Sequence, residues 1–499
     1  MDEAHELTED ELRQLASRWG IETDADELSA ICERVNRRLR SVTAVEALEP
    51  RSATPPPRSW RRPTAEEDPY NALVSRCELG PTGAGPLSEL TVGLKDNIAV
   101  AGVPMECGSA VMEGFVPTTD ATVVERLRAA GGTITAKCNL DEFAGGGRGR
   151  AHDGRIEHPM DSDRFPGGSS GGSAAAVLAG QVDVALGTDT GGSVRVPAAL
   201  CGLVGVKSTY GLVPLDGVVE NTHSLDHVGV MADGVAQAAA MVDAIAGKTE
   251  CDPASMAAAG HDDYQVGGCL AATETPPVLE EVSLVRLEES FAEADPAVAG
   301  VVAERLERLA TTGARLEAAS MPVLEQVDGI KGALTYSELA QYWRDGGATL
   351  RRGGGGWPDQ PAFARQTATG TGKLNPFYRG RLLAGAALLE TDRGRHHSRA
   401  LAVSERLREQ LGALLPDGPG ALVTPTVPIV APKHEQAESL RYGITANTRV
   451  ANLTGQPALT IPLGTSEGLP VGLQLIGHRY ADRELFGIAA RLEQALAKV

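Results

Sequence analysis

Phe165-Pro166-Gly167-Gly168-Ser169-Ser170-Gly171-Gly172-Ser173-Ala174, followed shortly by Gly187-Thr188-Asp189-Thr190-Gly191-Gly192-Ser193-Val194-Arg195, is the part of the chain that decides the fold. Residues 173–179 predict a helix and 182–186 a buried strand, so each glycine-serine segment abuts a regular element. Glycines let the backbone turn tightly and aim several amide N–H groups into one small volume beside a hydroxyl. That combination suits nucleophilic catalysis with an oxyanion hole.

Other readings of these glycines fail on the residues around them. A phosphate-binding loop needs G-x-x-x-x-G-K-[ST], and neither segment has a lysine after its glycines. Residues 167–171 match G-x-S-x-G, which would make Ser169 the nucleophile of a strand-to-helix elbow. The preceding Asp161-Ser162-Asp163-Arg164-Phe165-Pro166 is polar and proline-broken where such an elbow needs a buried strand. Flexible linkers explain neither the apolar helix after the first segment nor the strand before the second. Ser193, beyond the 182–186 strand, is the better-placed nucleophile, and a serine needs a base. Upstream, Val92-Gly93-Leu94-Lys95-Asp96-Asn97 closes a short apolar strand over 90–94 with Lys95, the only lysine in the first 136 residues. Alone, such a lysine reads as solvated or ion-paired; buried, it would lose its charge and accept a proton near neutral pH.

Further outward, residues 8–19 and 24–39 carry apolar side chains at helical spacing behind Thr and Asp caps, and Gly20 closes the first helix. Pro50, Pro55, Pro56, Pro57 and Pro63 make 49–68 a linker or wrapping arm that cannot form helix or interior strand. Residues 1–67 are thus read as a helical element with a proline-rich linker, and 68–499 as a catalytic domain. From about residue 70, signals for strands (133–138, near 315–317, 421–423, 458–461, 471–476) alternate with signals for helices (120–130, 296–312, 482–497). The alternation indicates the α/β class. Residues 351–372, with four glycines ahead of Trp357-Pro358 and a Thr/Gly-rich stretch behind, read as a surface loop or a pocket lid.

With 46 basic against 66 acidic residues the net charge is −20, and no long basic stretch offsets it, which argues against nucleic acid as a partner. The cations comprise only 8 lysines beside 38 arginines, so a lysine inside a motif stands out. Aromatic residues make up 4% of the chain, which leaves Ala, Val and Leu to build the core. No apolar run approaches the roughly 18 to 20 residues of a membrane helix. The N-terminus is acidic where a signal peptide would be basic and then apolar, so a soluble, cytoplasmic protein is expected. Seven scattered cysteines without a C-x-x-C pair read as buried reduced thiols. The ten histidines give no H-E-x-x-H spacing, and neither a metal site nor a cofactor is expected.

Lys95 in G-L-K-D-N, then P-G-G-S-S-G-G-S, then T-G-G-S, with Ser193 placed 24 positions after Ser169, resembles the amidase signature family. Weaker similarity runs from about residue 68 to the C-terminus, including 421–428 and 452–470. The resemblance implies an α/β fold with a large mixed β-sheet core covered by helices on both faces. It implies Lys95 as base, Ser169 as a cis-peptide serine relaying the proton, and Ser193 as the acyl-forming nucleophile. The amides of Thr190, Gly191, Gly192 and Ser193 would form the oxyanion hole. Gly145, Gly146 and Gly147, followed by Arg148, stand where the family commonly has Met-Gly-Ser-Ser, and are expected to line the acyl site. The implied reaction converts a carboxamide to a carboxylate and ammonia through an acyl-enzyme.

Within the family, the long N-terminus and Val100-Ala101-Gly102-Val103-Pro104-Met105 look more like stand-alone bacterial amidases acting on aliphatic and aromatic carboxamides. This is the expected activity, with a small-molecule amide as partner, no nucleic acid, no membrane, and a homodimer held by the N-terminal helices. The alternative is the glutaminase subunit of an aminoacyl-tRNA amidotransferase. Before their equivalent of Asn452-Leu453-Thr454-Gly455 those subunits carry an acidic residue that holds the glutamine ammonium, and residues 444–450 contain none.

Overall fold

Short aliphatic runs cut by glycine turns assemble into one large sheet in the computed structural model, which describes residues 6–43, 54–145, 149–347, 359–437 and 443–497. The chain forms two compact units, residues 1–54 and 55–499. In the first, helices Glu9–Trp19 and Ala25–Thr43 pack through Leu12, Leu28 and Cys32. Thr8 and Glu11 form a reciprocal capping box at the first helix, and left-handed Gly20 ends it.

The second unit opens with strands β1 (Trp60–Arg61), β2 (Leu73–Leu79), β3 (Thr91–Lys95) and β4 (Thr133–Cys138), then a small hairpin of β5 (Arg150–Ala151) and β6 (Gly154–Arg155). It continues with β7 (Val184–Thr188), β8 (Val204–Lys207), β9 (Val228–Ala232), β10 (Ser283–Leu287) and β11 (Arg315–Ala319). The last strands are β12 (Gly420–Pro425), β13 (Ala458–Ser466) and β14 (Leu469–Ile476). Twelve of these make a sheet in the order β1-β2-β4-β3-β7-β9-β8-β13-β14-β12-β10-β11. Pairs β3/β4, β3/β7, β10/β11 and β10/β12 are parallel and the rest antiparallel, which makes the sheet mixed. Proline confines β1 to two residues at the sheet edge, where no second ladder is required.

Strand β7 shows why the central strands read as unbroken apolar runs. Val184 and Leu186 join a core with helices Val235–Ile245 and Asp482–Leu496, while Ala185 joins a second core with helix Gly171–Leu178. Both faces are therefore covered, and alternation with polar residues is lost. The expected 133–138 strand coincides with β4, whereas the 182–186 strand is displaced to Val184–Thr188, which brings Thr188 to its C-terminal end. Of the 351–372 segment, residues 351–358 lie outside the described residues. Residues 360–370 are helical, a correction to the loop reading: Pro361 suits a first turn, and Phe363 and Thr367, four apart, bury one face.

Helix Gly171–Leu178 can approach β2 and β4 because of Gly172. A Cβ there would meet the Ala72 carbonyl at 2.5 Å and the Asn139 amide nitrogen at 2.6 Å. Gly172→Ala is expected to force the helix outward and cost about 1–3 kcal/mol of stability in urea unfolding; an unchanged midpoint would show that this approach is not tight.

Candidate active site

Strands β3 and β7 are parallel neighbours, with Val92 opposite Val184 and Leu94 opposite Leu186. Their C-terminal ends therefore coincide, and Lys95 and Thr188 emerge side by side. Lys95 Nζ donates to Thr188 Oγ1 at 2.8 Å, to the Thr188 carbonyl at 3.4 Å, and to Ser169 Oγ at 2.8 Å. The lysine is fully buried. Burial pulls its pKa down to about 7, with the carboxylates of Asp141, Asp189 and Asp226 limiting the fall. An amine so placed is available in its neutral form at physiological pH.

The first glycine-serine segment divides its serines between structure and site. Ser170 Oγ donates to the Thr188 carbonyl at 3.2 Å and accepts from the Thr188 N–H, while Ser173 Oγ donates to the Leu186 carbonyl at 3.0 Å. These two stitch the segment to β7. Ser169, which follows a cis Gly168–Ser169 peptide, is the serine that meets Lys95.

The second segment is the turn after β7. Gly192 has φ +122°, and a Cβ there would collide with Thr448 Oγ1, so only glycine fits. Thr190 Oγ1 donates to Asp226 Oδ1 at 2.5 Å. The amides of Thr190, Gly191 and Ser193 donate to no described residue, and these three residues line one cavity. Gly192, expected to be a fourth oxyanion donor, is corrected: its N–H donates to Asp189 Oδ1 at 2.6 Å because the turn wraps around that carboxylate.

Asp189 and Arg195 stand in the motif without a role that sequence reading assigns, and they organise it. Both are fully buried and paired: Nε donates to Asp189 Oδ2 and Nη2 to Oδ1, each at 3.0 Å. The remaining guanidinium protons go to the Thr448 carbonyl, Gln474 Oε1 and Asn452 Oδ1 at 2.7–2.9 Å. Asn452 Nδ2 returns a bond to Asp189 Oδ1 at 2.9 Å. Burial would raise the Asp189 pKa, but the Arg195 charge and the hydrogen bonds from Arg195 and Asn452 outweigh it and hold the carboxyl far below the usual range. The one sequence signal for this pair is an Asp between two threonines and an Arg between two valines, at either end of a glycine turn.

Gly145 lies on the wall of this cavity; Gly146 and Gly147 fall outside the described residues. The opposite wall comes from late elements: Asp328 and Lys331 on helix Val327–Arg344, Arg381 on helix Pro376–Asp392, and Thr445 with Arg449. Residues 444–450 contribute no carboxylate to this cavity; the acidic side chain on its lining is Asp328, which pairs with Arg449. Among the described residues no helix is long and apolar enough to cross a membrane.

A family model described as Amidase matches residues 72–486. A glutamyl-tRNA(Gln) amidotransferase subunit from Haloarcula marismortui is 37% identical over 436 residues, spanning 85% of this chain and 99% of that protein. The crystal structure of the corresponding subunit from Thermotoga maritima superposes with a TM-score of 0.72 at 32% identity, covering 86% of this chain and 88% of its own. The native peptide amidase of Stenotrophomonas maltophilia gives a TM-score of 0.67 at 31% identity, covering 82% and 83%. These relatives overturn the expected partners. A small-molecule amide as sole partner, no nucleic acid and a homodimer do not suit a chain whose relatives are named as one subunit of an amidotransferase of glutamyl-tRNA(Gln). Net charge averages over the whole surface and carries no information about a partner subunit.

Arg195→Met would leave Asp189 buried and uncompensated. A loss of roughly 3–5 kcal/mol is expected in urea unfolding, and a loss below about 1 kcal/mol would show that the pair is not the turn's anchor.

Proposed function

Because the chain belongs to the amidase family, we propose that it cleaves a primary carboxamide at Ser193 and releases ammonia, as the glutamine-hydrolysing subunit of an amidotransferase. The contact between Lys95 Nζ and Ser169 Oγ carries the chemistry. Neutral Lys95 takes the Ser169 proton as Ser169 takes that of Ser193, whose Oγ attacks the amide carbon. The amides of Thr190, Gly191 and Ser193 receive the oxyanion, a contribution of about 3–4 kcal/mol per donor. Collapse breaks the C–N bond, the relay returns a proton to the departing nitrogen, and water then hydrolyses the Ser193 ester. Asp328, which shares the cavity wall with Lys331, Arg381 and Arg449, gives a zwitterionic amino-acid amide a partner for each charge. A cytoplasmic location belongs to the same proposal.

A second reading, a carboxamide amidase acting alone, is favoured by the helical unit of residues 1–54, which lies outside the matched 72–486. Ammonia release from glutamine, acetamide, benzamide and a 2-arylpropionamide, at low and high salt, separates the two. Glutamine as the one good substrate supports the first, and turnover of the simple amides supports the second. Ser193→Ala and Lys95→Ala are expected to abolish turnover in both, and full activity in purified Ser193→Ala would sink both. Since the base must be unprotonated, kcat/KM is expected to fall about tenfold per pH unit below the Lys95 pKa of about 7; a flat profile from pH 5 to 8 would exclude Lys95 as the base.

A further inference from the structure

Sheet register gathers a second set of polar side chains away from Ser193. Ala458 at the start of β13 lies opposite Ile476 at the end of β14, so the residues just before the one and just after the other come together. Gln456 and the run His478-Arg479-Tyr480 thereby line one cavity of about 920 Å³ with Arg408 of helix Arg395–Leu414. A lobe of about 560 Å³ shares His261, Arg479 and Tyr480 with it and is walled by Tyr210 and the small residues Ala254, Ala257 and Ala258. No described residue lines both this cavity and the one that holds Ser193.

Two groups here lack the partners that burial requires. Gln456 is 2% exposed, yet its Oε1 accepts no hydrogen bond from any described residue. Arg479 Nε is buried without an acceptor, while the guanidinium lies over the Tyr480 ring, 4.9 Å from the centroid. Arg408 pairs with Glu405 on its own helix, and burial followed by repulsion from Arg479 lowers its pKa, so the two guanidinium charges act on each other. The carboxylates at this cavity do not relieve them. Asp263 is mostly exposed and lies 3.7 Å from His261 Nδ1, and burial raises the pKa of Glu484.

A buried amide oxygen and a buried guanidinium N–H without partners each forfeit a hydrogen bond. Neighbouring guanidiniums suit an oxyanion, above all the several oxygens of a phosphate. A phosphate dianion has no proton to offer Gln456 Oε1, so the donor that satisfies the amide belongs to an attached organic group. The space exceeds what phosphate alone fills, and the Tyr210 lobe offers an aromatic and apolar surface to a flat ring.

We propose that this cavity is a second ligand site that binds a nucleoside monophosphate, with the phosphate on Arg408 and Arg479, a sugar hydroxyl on Gln456 Oε1 and the base in the Tyr210 lobe. Nothing in it depends on the chemistry at Ser193.

Titration calorimetry of the full chain with AMP, UMP, adenosine and inorganic phosphate tests the site. At least one of the two nucleotides is expected to bind at least about tenfold more tightly than phosphate or adenosine, the scale of a hydrogen bond to a charged group, and to weaken as salt is raised. Phosphate is expected to displace the nucleotide. Arg479→Met should weaken nucleotide binding at least about tenfold and Arg479→Lys less, while Gln456→Leu should weaken the nucleotide and leave phosphate unchanged. Absence of nucleotide binding overturns the proposal, and so does phosphate that binds as tightly as the nucleotide, the mark of a plain anion site. Nucleotide affinity unchanged in Arg479→Met overturns it too, by placing the ligand elsewhere. Should the variants fold poorly, failure of phosphate to compete in the wild type overturns it as well.

Discussion

The pairing of Asp189 with Arg195 is the constraint on which the rest of the site depends. Two opposite charges removed from water gain little net stability, because desolvation consumes most of their attraction. What the pair supplies is position. Arg195 has five donors and all are used: two on Asp189, and one each on residues 448, 452 and 474. The turn after β7 is thereby tied to the segment ahead of β13 and to the centre of β14, far along the chain. Asp189 in turn takes the amides of Gly192 and Val194, and the neighbouring amides are left without internal acceptors.

Burial of lysine is the second theme. Among the described residues, Lys95, Lys137 and Lys207 have no exposed surface and lie in the interior. Their settings differ. Lys137 faces the Asp96 carboxylate at 2.8 Å. Lys207 donates to backbone carbonyls of Ser208 and Gln456. Lys95 meets only hydroxyls and one carbonyl, and its carboxylate neighbours act at a distance. Burial brings the pKa of Lys207 to about 7 as well, so what sets Lys95 apart is that its amine faces the hydroxyl of Ser169.

Much of this is legible in the sequence wherever a local rule is decisive. The β-branched run at 133–138 and the proline-opened helix at Pro296 appear as read, because pattern and punctuation agree there. Strands β8 and β9 escape such reading because they are four and five residues long, too short for a period to show. The helices between 327 and 414 escape it for another reason. Helix Val327–Arg344 buries parts of several faces, so no single apolar stripe runs along it. In the site, Lys95, Ser169 and Ser193 stand in glycine-rich motifs and can be singled out. Asp328 and Lys331 have no motif around them, and they reach the cavity only when folding brings that helix against Gly191.

The division of labour along the chain has an evolutionary consequence. The groups proposed to move protons hang on β3, β7 and the two turns beside them, all within the first half of the sequence. The wall that faces the substrate is made largely by helices contributed later, which touch the reacting groups through a few side chains and share no strand with them. Substitutions in that wall can therefore drift under selection for a new amide while the inherited chemistry stays fixed, so that one lineage can hold a peptide amidase and a tRNA-linked amidotransferase on the same sheet.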